Sequence, residues 1–370
     1  MRILSVVTLV SPDGAYGGPL RVAVNQASEL QSRGHDVTIA AACRGYPEGP
    51  PRELSGVPAR LFPARRLVPG TGFAGLSSPH LLRWVSRTAT SFDIVHVHVA
   101  RDLITLPAAM AVRRRGVPYV LQTHGMINES HNLLARLADP LLTRPVLKNA
   151  ARLFYLTATE RDDLAAIVGR SDALELLTNG VPPSELAADT STPEILYLAR
   201  LAPRKRPGLM VDIAKSLAVD HPHYRVRLVG PDEGEAASLE TEIAGTQADV
   251  RWEGALSPEH TLSRMAQAGI YVLPSIDEPY CMSVLEAMSV GLPVVITNSS
   301  GLASVVRSTG AGVVTDPSVQ GIIAGVRQII DNPQLAQQMG QAGRRAAADA
   351  LGMPAVADKL EQIYEASRQQ

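Results

Sequence analysis

Short runs rich in Val, Ile and Leu alternate along this chain with longer stretches whose apolar residues recur at i, i+3 and i+4. In the first half the runs are RILSVVTLV, DVTIAAA, DIVHVHV, PYVLQTH and LFYLT; in the second they are EILYLAR, YRVRLVG, VRWEG, IYVLPS, PVVIT and GVVTD. Stretches such as PLRVAVNQASELQSRG and LEAMSVG carry the helical spacing. Strand and helix in alternation predict parallel sheets with helices on both faces, and near-continuous apolar strands predict burial from both sides. The alternation pauses at NGVPPSELAADTSTPE, residues 179–194, where three prolines and small residues replace any apolar period. That stretch reads as an interdomain linker. Two doubly wound domains facing a cleft are therefore expected, with an amphipathic helix from about Met353 to Ser367 that the pattern leaves free to pack on either one.

Composition narrows the class. A chain of 370 residues is too long for one ordinary core and fits two domains of ~150–200 residues. Apolar residues make up 45% and aromatics only 4%, so Leu, Val, Ile and Ala must fill both cores. A net charge of −1 with no long basic block argues against nucleic acid as a partner. Cys43 and Cys281 stand far apart, which makes neither a disulfide framework nor a zinc site and fits a reducing cytoplasm. The apolar run Ile3 to Val10 is too short to span a membrane and precedes no convincing cleavage site, so it reads as a buried first strand. The expectation is a cytoplasmic protein, free to touch the inner face of a membrane.

Four places carry candidate chemistry. In IYVLPSIDEPYCMSVLEAMSVG a strand ends, a turn follows, and a helix runs until Gly291. Ligands of open α/β sheets sit at the carboxyl ends of strands, and a helix N-terminus there offers unpaired N–H groups and a positive partial charge. The amides of Met282 and Ser283 are thus placed for a diphosphate. Glu286, about one turn in, suits a cis-diol such as ribose, because a carboxylate accepts from both hydroxyls. Glu278, in the loop, is within reach of a sugar hydroxyl. Taken alone, the same two acids read more simply as a complement to the helix dipole and a solvated loop residue.

In ILYLARLAPRKRPG, Arg200 stands at a strand end and Lys205 opens the next helix after a proline turn. Two cations there suit a phosphate pair, with Arg204 and Arg206 facing solvent; a solvated basic turn is the plainer reading. In SPDGAYGGPLRVAVNQ, Gly17 and Gly18 would let the backbone approach a ligand closely, though the pattern is not a dinucleotide fingerprint and a simple turn fits too. In PYVLQTHGM, His124 follows a buried strand and should sit at its tip. His96 and His98 alternate onto one face of another strand; with no third ligand in view, a structural role is favoured over a metal site. No D-x-D triplet occurs, so side chains and a helix end must neutralise any phosphates.

Together these residues resemble family 4 glycosyltransferases of the GT-B fold, over nearly the whole chain. The E-x7-E pair Glu278/Glu286 followed by EAMSVGLPVV is the most specific part. ARLAPRKRP matches the family's R-L-x-x-x-K phosphate motif, and AYGGPLRVAVNQASELQSRGHDV, DIVHVH, QTHG and TNGVP follow in order and spacing. The resemblance implies two Rossmann-like, doubly wound α/β domains facing a central cleft: an acceptor-binding domain over 1–183, with helix 353–370 packing back on it, and a nucleotide-sugar domain over 184–352. It implies that Arg200 and Lys205 hold the donor diphosphate, Glu286 the ribose and Glu278 the transferred sugar. His124 would contact that sugar and support developing charge. It further implies retention of anomeric configuration, no metal and no cofactor, with a UDP-sugar favoured as donor and GDP-mannose next. Two positions depart from the family pattern. Cys281 stands where a glycine is usual, and Pro182 where an acidic residue usually follows N-G-V.

The acceptor is a hydroxyl of a glycan, a lipid-linked sugar or a small molecule. In residues 132–154, apolar positions at helical spacing with Arg136, Arg144, Lys148 and Arg152 among them suit an anionic membrane, or an ordinary surface helix pair broken at Pro140 and Pro145. The alternatives to a transferase are another GT-B enzyme, such as an epimerase or phosphorylase, and a non-catalytic two-lobed binding protein.

Overall fold

A computed structural model of the protein describes residues 1–12, 17–68, 70, 72–127 and 139–369. The chain divides into two units: residues 1–180 with 353–370, and residues 181–352.

The first unit is built on strands β1 (Arg2–Val10), β2 (Asp36–Cys43), β3 (Glu53–Leu54), β4 (Val57–Pro63), β7 (Ile94–His98), β8 (Tyr119–Gln122), β9 (Arg152–Tyr155) and β10 (Leu174–Leu176), with a separate two-stranded ribbon of β5 (Arg65–Arg66) and β6 (Leu76–Ser77). The large sheet runs β10-β9-β8-β7-β1-β2-β4-β3, parallel except for β3. β7 and β8 are buried along their whole length, as the unbroken apolar runs require. The edge elements were not legible as strands. β4 is bracketed by Pro58 and Pro63, and β3 is two residues long. A Ser55-Gly56 turn with both φ angles positive joins them, the two-residue hairpin geometry that suits strand twist.

The helix Met353–Arg368 belongs to this unit. It buries Val356, Ala357, Leu360 and Tyr364 on the sheet side. Its polar face meets Arg33, which donates to Asp358 at 2.5 Å and Glu361 at 3.0 Å. Gly180 closes the contact: its φ is +70°, and a Cβ there would meet the Met353 sulfur at 2.6 Å.

The second unit has β11 (Glu194–Leu198), β12 (Arg225–Val229), β13 (Val250–Trp252), β14 (Ile270–Leu273), β15 (Val294–Thr297) and β16 (Gly312–Thr315), in the all-parallel order β13-β12-β11-β14-β15-β16. The proline-rich stretch after Gly180 is not a free tether. The Ala188 N–H donates to the Val290 carbonyl at 2.7 Å and Arg344 donates to the Ser184 carbonyl, so the stretch is packed on the second unit.

Candidate active site

In the second sheet the chain builds β11, β12 and β13 in one direction, then β14, β15 and β16 in the other. The reversal falls between β11 and β14, and the carboxyl ends at such a reversal are where ligands of open α/β sheets sit. Both motif-bearing segments leave the sheet there. β11 leads to Arg200 and a 3-10 turn, Pro203–Lys205; β14 leads to a loop and then the helix Met282–Ser289. The Ile276 N–H donates to the Arg204 carbonyl at 3.0 Å and stitches the two together.

Lys205 does not open a helix as expected; the next helix starts at Leu209. Instead it ends the turn, is buried, and its Nζ donates to Glu278 Oε2 at 2.6 Å. Arg204 Nη2 lies 3.6 Å from the same oxygen. Glu278 is 6% exposed and is held between the two cations. Arg200 stands at the strand end as expected, and its Nη1 donates to Glu233 Oε1 at 2.5 Å. Arg206, expected to face solvent, is only partly exposed. It takes up φ +54°, and its Nη1 donates to the Pro317 carbonyl at 2.6 Å.

At the helix start, Cys281 is the N-cap but makes no side-chain cap bond. Its Sγ lies 3.0 Å from Ser283 Oγ and 3.9 Å from Lys205 Nζ. The first N–H groups of Met282–Ser289, those of Met282 and Ser283 among them, have no carbonyl a turn earlier to reach. Glu286 is buried inside this helix, close enough to Tyr271 to help raise its phenol. Gly291, with φ +81°, follows the helix end.

Two tyrosines that the sequence reading passed over hold this arrangement. The Tyr271 hydroxyl donates to the Leu198 carbonyl at 3.1 Å and lies 2.6 Å from Ser283 Oγ. The Tyr197 hydroxyl donates to the Arg200 carbonyl at 2.9 Å. Burial pushes both phenols well above their ordinary range, so they stay neutral donors. Tyr271 thus couples the end of β11 to the first turn of the helix. The only sequence signal was a tyrosine inside each of two otherwise aliphatic strands.

In the first unit the strand order reverses between β1 and β7. His96 and His98 lie on one face of β7 with stacked rings, centroids 4.5 Å apart. His98 stacks in turn on His124 at 5.1 Å, and His98 Nδ1 meets His124 Nε2 at 2.9 Å. His96 Nδ1 meets the Tyr364 hydroxyl at 2.7 Å. Burial drives the His96 and His124 imidazoles down to about 3, with Asn179 partly opposing this at His124, and holds His98 well below its usual value. All three rings are neutral at pH 7. Among the described residues, no group of three or more His, Cys, Asp or Glu is arranged to hold a metal ion.

His124 sits at the tip of β8 with φ +52°, followed by Gly125 at +72°. A non-glycine residue there costs of order 1–3 kcal/mol and persists only when its surroundings fix it. The fixing group is Glu160, which the sequence reading did not single out. It is buried, bonds the Thr123 hydroxyl, and accepts from the Gly125 N–H at 2.5 Å and the Leu156 N–H at 2.7 Å. Thr157-x-x-Glu160, a capping pattern, was the available clue. Gly17 opens the helix Gly17–Ser32, and a Cβ on Gly18 would meet open space.

Two Rossmann-like α/β domains, with motif residues gathered where the strand order reverses in each, define the GT-B class of glycosyltransferase. The comparisons agree. The profile for Glycosyl transferases group 1 matches residues 183–346 and that for the Glycosyl transferase 4-like domain matches 17–180. The chain belongs to the family 4-like GT-B glycosyltransferases. It is 24% identical to a glycogen synthase of Mycobacterium tuberculosis over 100% of this chain and 95% of that protein. It is 26% identical to a GDP-mannose:cellobiosyl-diphosphopolyprenol alpha-mannosyltransferase of Xanthomonas oryzae over 85% of this chain and 83% of the relative. Its fold matches the crystal structure of Anabaena Alr3699/HepE in complex with UDP and glucose at a TM-score of 0.76 and 17% identity, covering 98% of this chain and 99% of that one.

Proposed function

We propose that this glycosyltransferase moves a sugar from a nucleotide diphosphate to a hydroxyl with retention of anomeric configuration and without a metal ion. A UDP-sugar is the favoured donor, in keeping with the UDP held by the Anabaena protein; GDP-mannose, the donor named for the Xanthomonas relative, is next. The observation that carries this reading is the buried Lys205–Glu278 pair beside the opening turn of Met282–Ser289, at the carboxyl ends of β11 and β14.

An ammonium has three protons, and the bond to Glu278 uses one of them. The others, the Arg200 fork and the Met282 and Ser283 amides receive the donor diphosphate. Glu286 takes the ribose diol, and Glu278 takes the transferred sugar while holding Lys205 in place. In the reaction the bond from the anomeric carbon to the phosphate oxygen breaks and its electron pair goes to the diphosphate. The acceptor oxygen bonds to that carbon on the same face, and its proton passes to the leaving phosphate. Charge developing on the leaving group meets groups already oriented toward it, the largest single source of rate enhancement in such sites. His124, neutral and held in a strained turn, is assigned by family resemblance to the donor sugar, and Gly17 and Gly18 to the glycine loop of the first domain.

The acceptor is a glycan, a lipid-linked sugar or a small molecule. Peripheral contact with the inner face of an anionic membrane is assigned to 132–154, a span in which Leu141 is 80% exposed; residues 132–138, Arg136 included, lie outside the described residues. Among the described residues no helix is long and apolar enough to cross a membrane. Calorimetry with UDP and GDP, each with EDTA and with magnesium, tests the donor reading. Binding in EDTA is expected; binding that needs the metal, or none at all, overturns it. Flotation with anionic liposomes tests the membrane contact.

A further inference from the structure

An open cavity of about 710 Å³ lies in the first unit at the amino-terminal ends of β8 and β9. His98 and His124 lie at or beyond the carboxyl ends of the same sheet's strands, so the cavity is a separate place with no part in the reaction described above. Five cations line it, Arg113, Lys148, Arg152, Arg170 and Arg368, against one carboxylate, Asp172. In a chain whose net charge is −1, that concentration is local.

The cations are also partly fixed. Arg152 Nη1 donates to the Ala151 carbonyl at 2.7 Å and Arg170 Nη2 to the Ala150 carbonyl at 3.2 Å, which orients both guanidinium planes at the cavity wall. Each also has a carboxylate at ion-pair range, Glu175 at 3.9 Å from Arg152 and Asp172 at 3.7 Å from Arg170. Arg368 has Asp93 at 3.8 Å. Among the described residues, neither Arg113 nor Lys148 has a carboxylate partner. A concave site lined by one sign of charge concentrates ligands of the other, and Arg forks held in place lose little freedom on gripping phosphate.

We propose that this cavity binds a compact oligo-anion, a ligand presenting two or more clustered phosphate-type groups. That chemistry is offered by a free polyphosphorylated solute and by the headgroups of an anionic bilayer. The test uses the full chain, with inorganic tripolyphosphate as the soluble probe in calorimetry and phosphatidylcholine vesicles with and without phosphatidylglycerol in flotation. The variant is Arg113→Glu with Arg170→Glu, two lining residues outside 132–154, with the milder Arg113→Gln/Arg170→Gln pair as a check that melting temperature is kept. Saturable tripolyphosphate binding that weakens about tenfold or more in the double variant, the scale of one good ionic contact, establishes the site for a soluble anion. Failure of tripolyphosphate with flotation on phosphatidylglycerol vesicles that the double variant loses establishes it for headgroups. Binding that is unchanged in the double variant, including tripolyphosphate taken up near Arg200 instead, overturns the proposal, as does no binding to either probe. Donor turnover is expected to be unchanged in both variant pairs, so this result stands apart from the donor reading.

Discussion

The Lys205 ammonium donates to Glu278 Oε2 across 2.6 Å, and the two side chains are 6% and 8% exposed. Two residues 73 positions apart thus form one buried ion pair under the opening turn of a helix. Removing one partner from such a pair strands the other's charge, at a cost of about 3–5 kcal/mol. Lys205→Met should therefore lose stability on that scale in urea melts and turnover by about 10²-fold or more. Lys205→Met with Glu278→Leu should regain most of the stability, since a buried pair exchanged for apolar residues is often neutral, yet stay inactive. A single Lys205→Met variant of wild-type stability would count against the pair's structural role.

Arg200 behaves differently because its partner is in water. Its side chain and that of Glu233 are 44% and 38% exposed, and exposed pairs are worth about 1 kcal/mol or less. Glu233→Gln should leave the melting temperature nearly unchanged and lower the donor KM, by releasing Arg200 from a competing carboxylate. Arg200→Ala should cut kcat/KM about 10²-fold with little change in stability. Equal donor kinetics in Glu233→Gln and wild type would show that the pair does not compete with the donor.

Gly230 at the end of β12 has φ +147°, and a Cβ there would run into the Ala199 carbonyl, next to Arg200. Gly230→Ala should cost about 3 kcal/mol from backbone strain and overpacking together, and lower turnover by displacing the Arg200 segment. Gly254 also has positive φ, +82°, but open space around it. Gly254→Ala should cost about 1–2 kcal/mol, from the left-handed backbone alone, and spare activity. Similar melting temperatures for the two variants would remove the close-approach argument.

The histidine stack sets an acid limit on stability. An unfolded imidazole titrates near 6.5, whereas in the fold burial lowers His96 and His124 to about 3 and His98 well below its ordinary value. Below pH 6.5 the unfolded chain takes up protons that the folded one refuses, so stability is full above that value and falls as pH drops toward 3. The loss approaches about 1.4 kcal/mol per pH unit for each sealed ring, and less for the more exposed His124. Urea midpoints at pH 7, 6 and 5 should fall, and His96→Asn should flatten the slope. A midpoint constant from pH 7 to 5 would contradict the neutral stack.

Much of the architecture could be read from the residues in order. The eleven runs all became strands; where a strand is buried on both faces, as β7, β8, β14 and β15 are, it has to be apolar nearly throughout, and that signal is local. Of the strands missed, β3, β5, β6 and β10 are two or three residues long, and β4, next to the edge, holds Pro58 and several exposed residues, so little pattern remains.

The sequence by itself determined the alternation, the pause in it over residues 179–194, and the residue types of the R-L-x-x-x-K and E-x7-E motifs, since periodicity and spacing are properties of neighbouring positions. What only the tertiary structure decided is who meets whom. It paired Lys205 with Glu278 and Arg200 with Glu233, turned Arg206 onto backbone carbonyls, stacked His124 on His98, and set Tyr271 between β11 and the helix start. Each of those contacts depends on strand order and on desolvation, which act between segments far apart in the chain and leave no trace in local spacing.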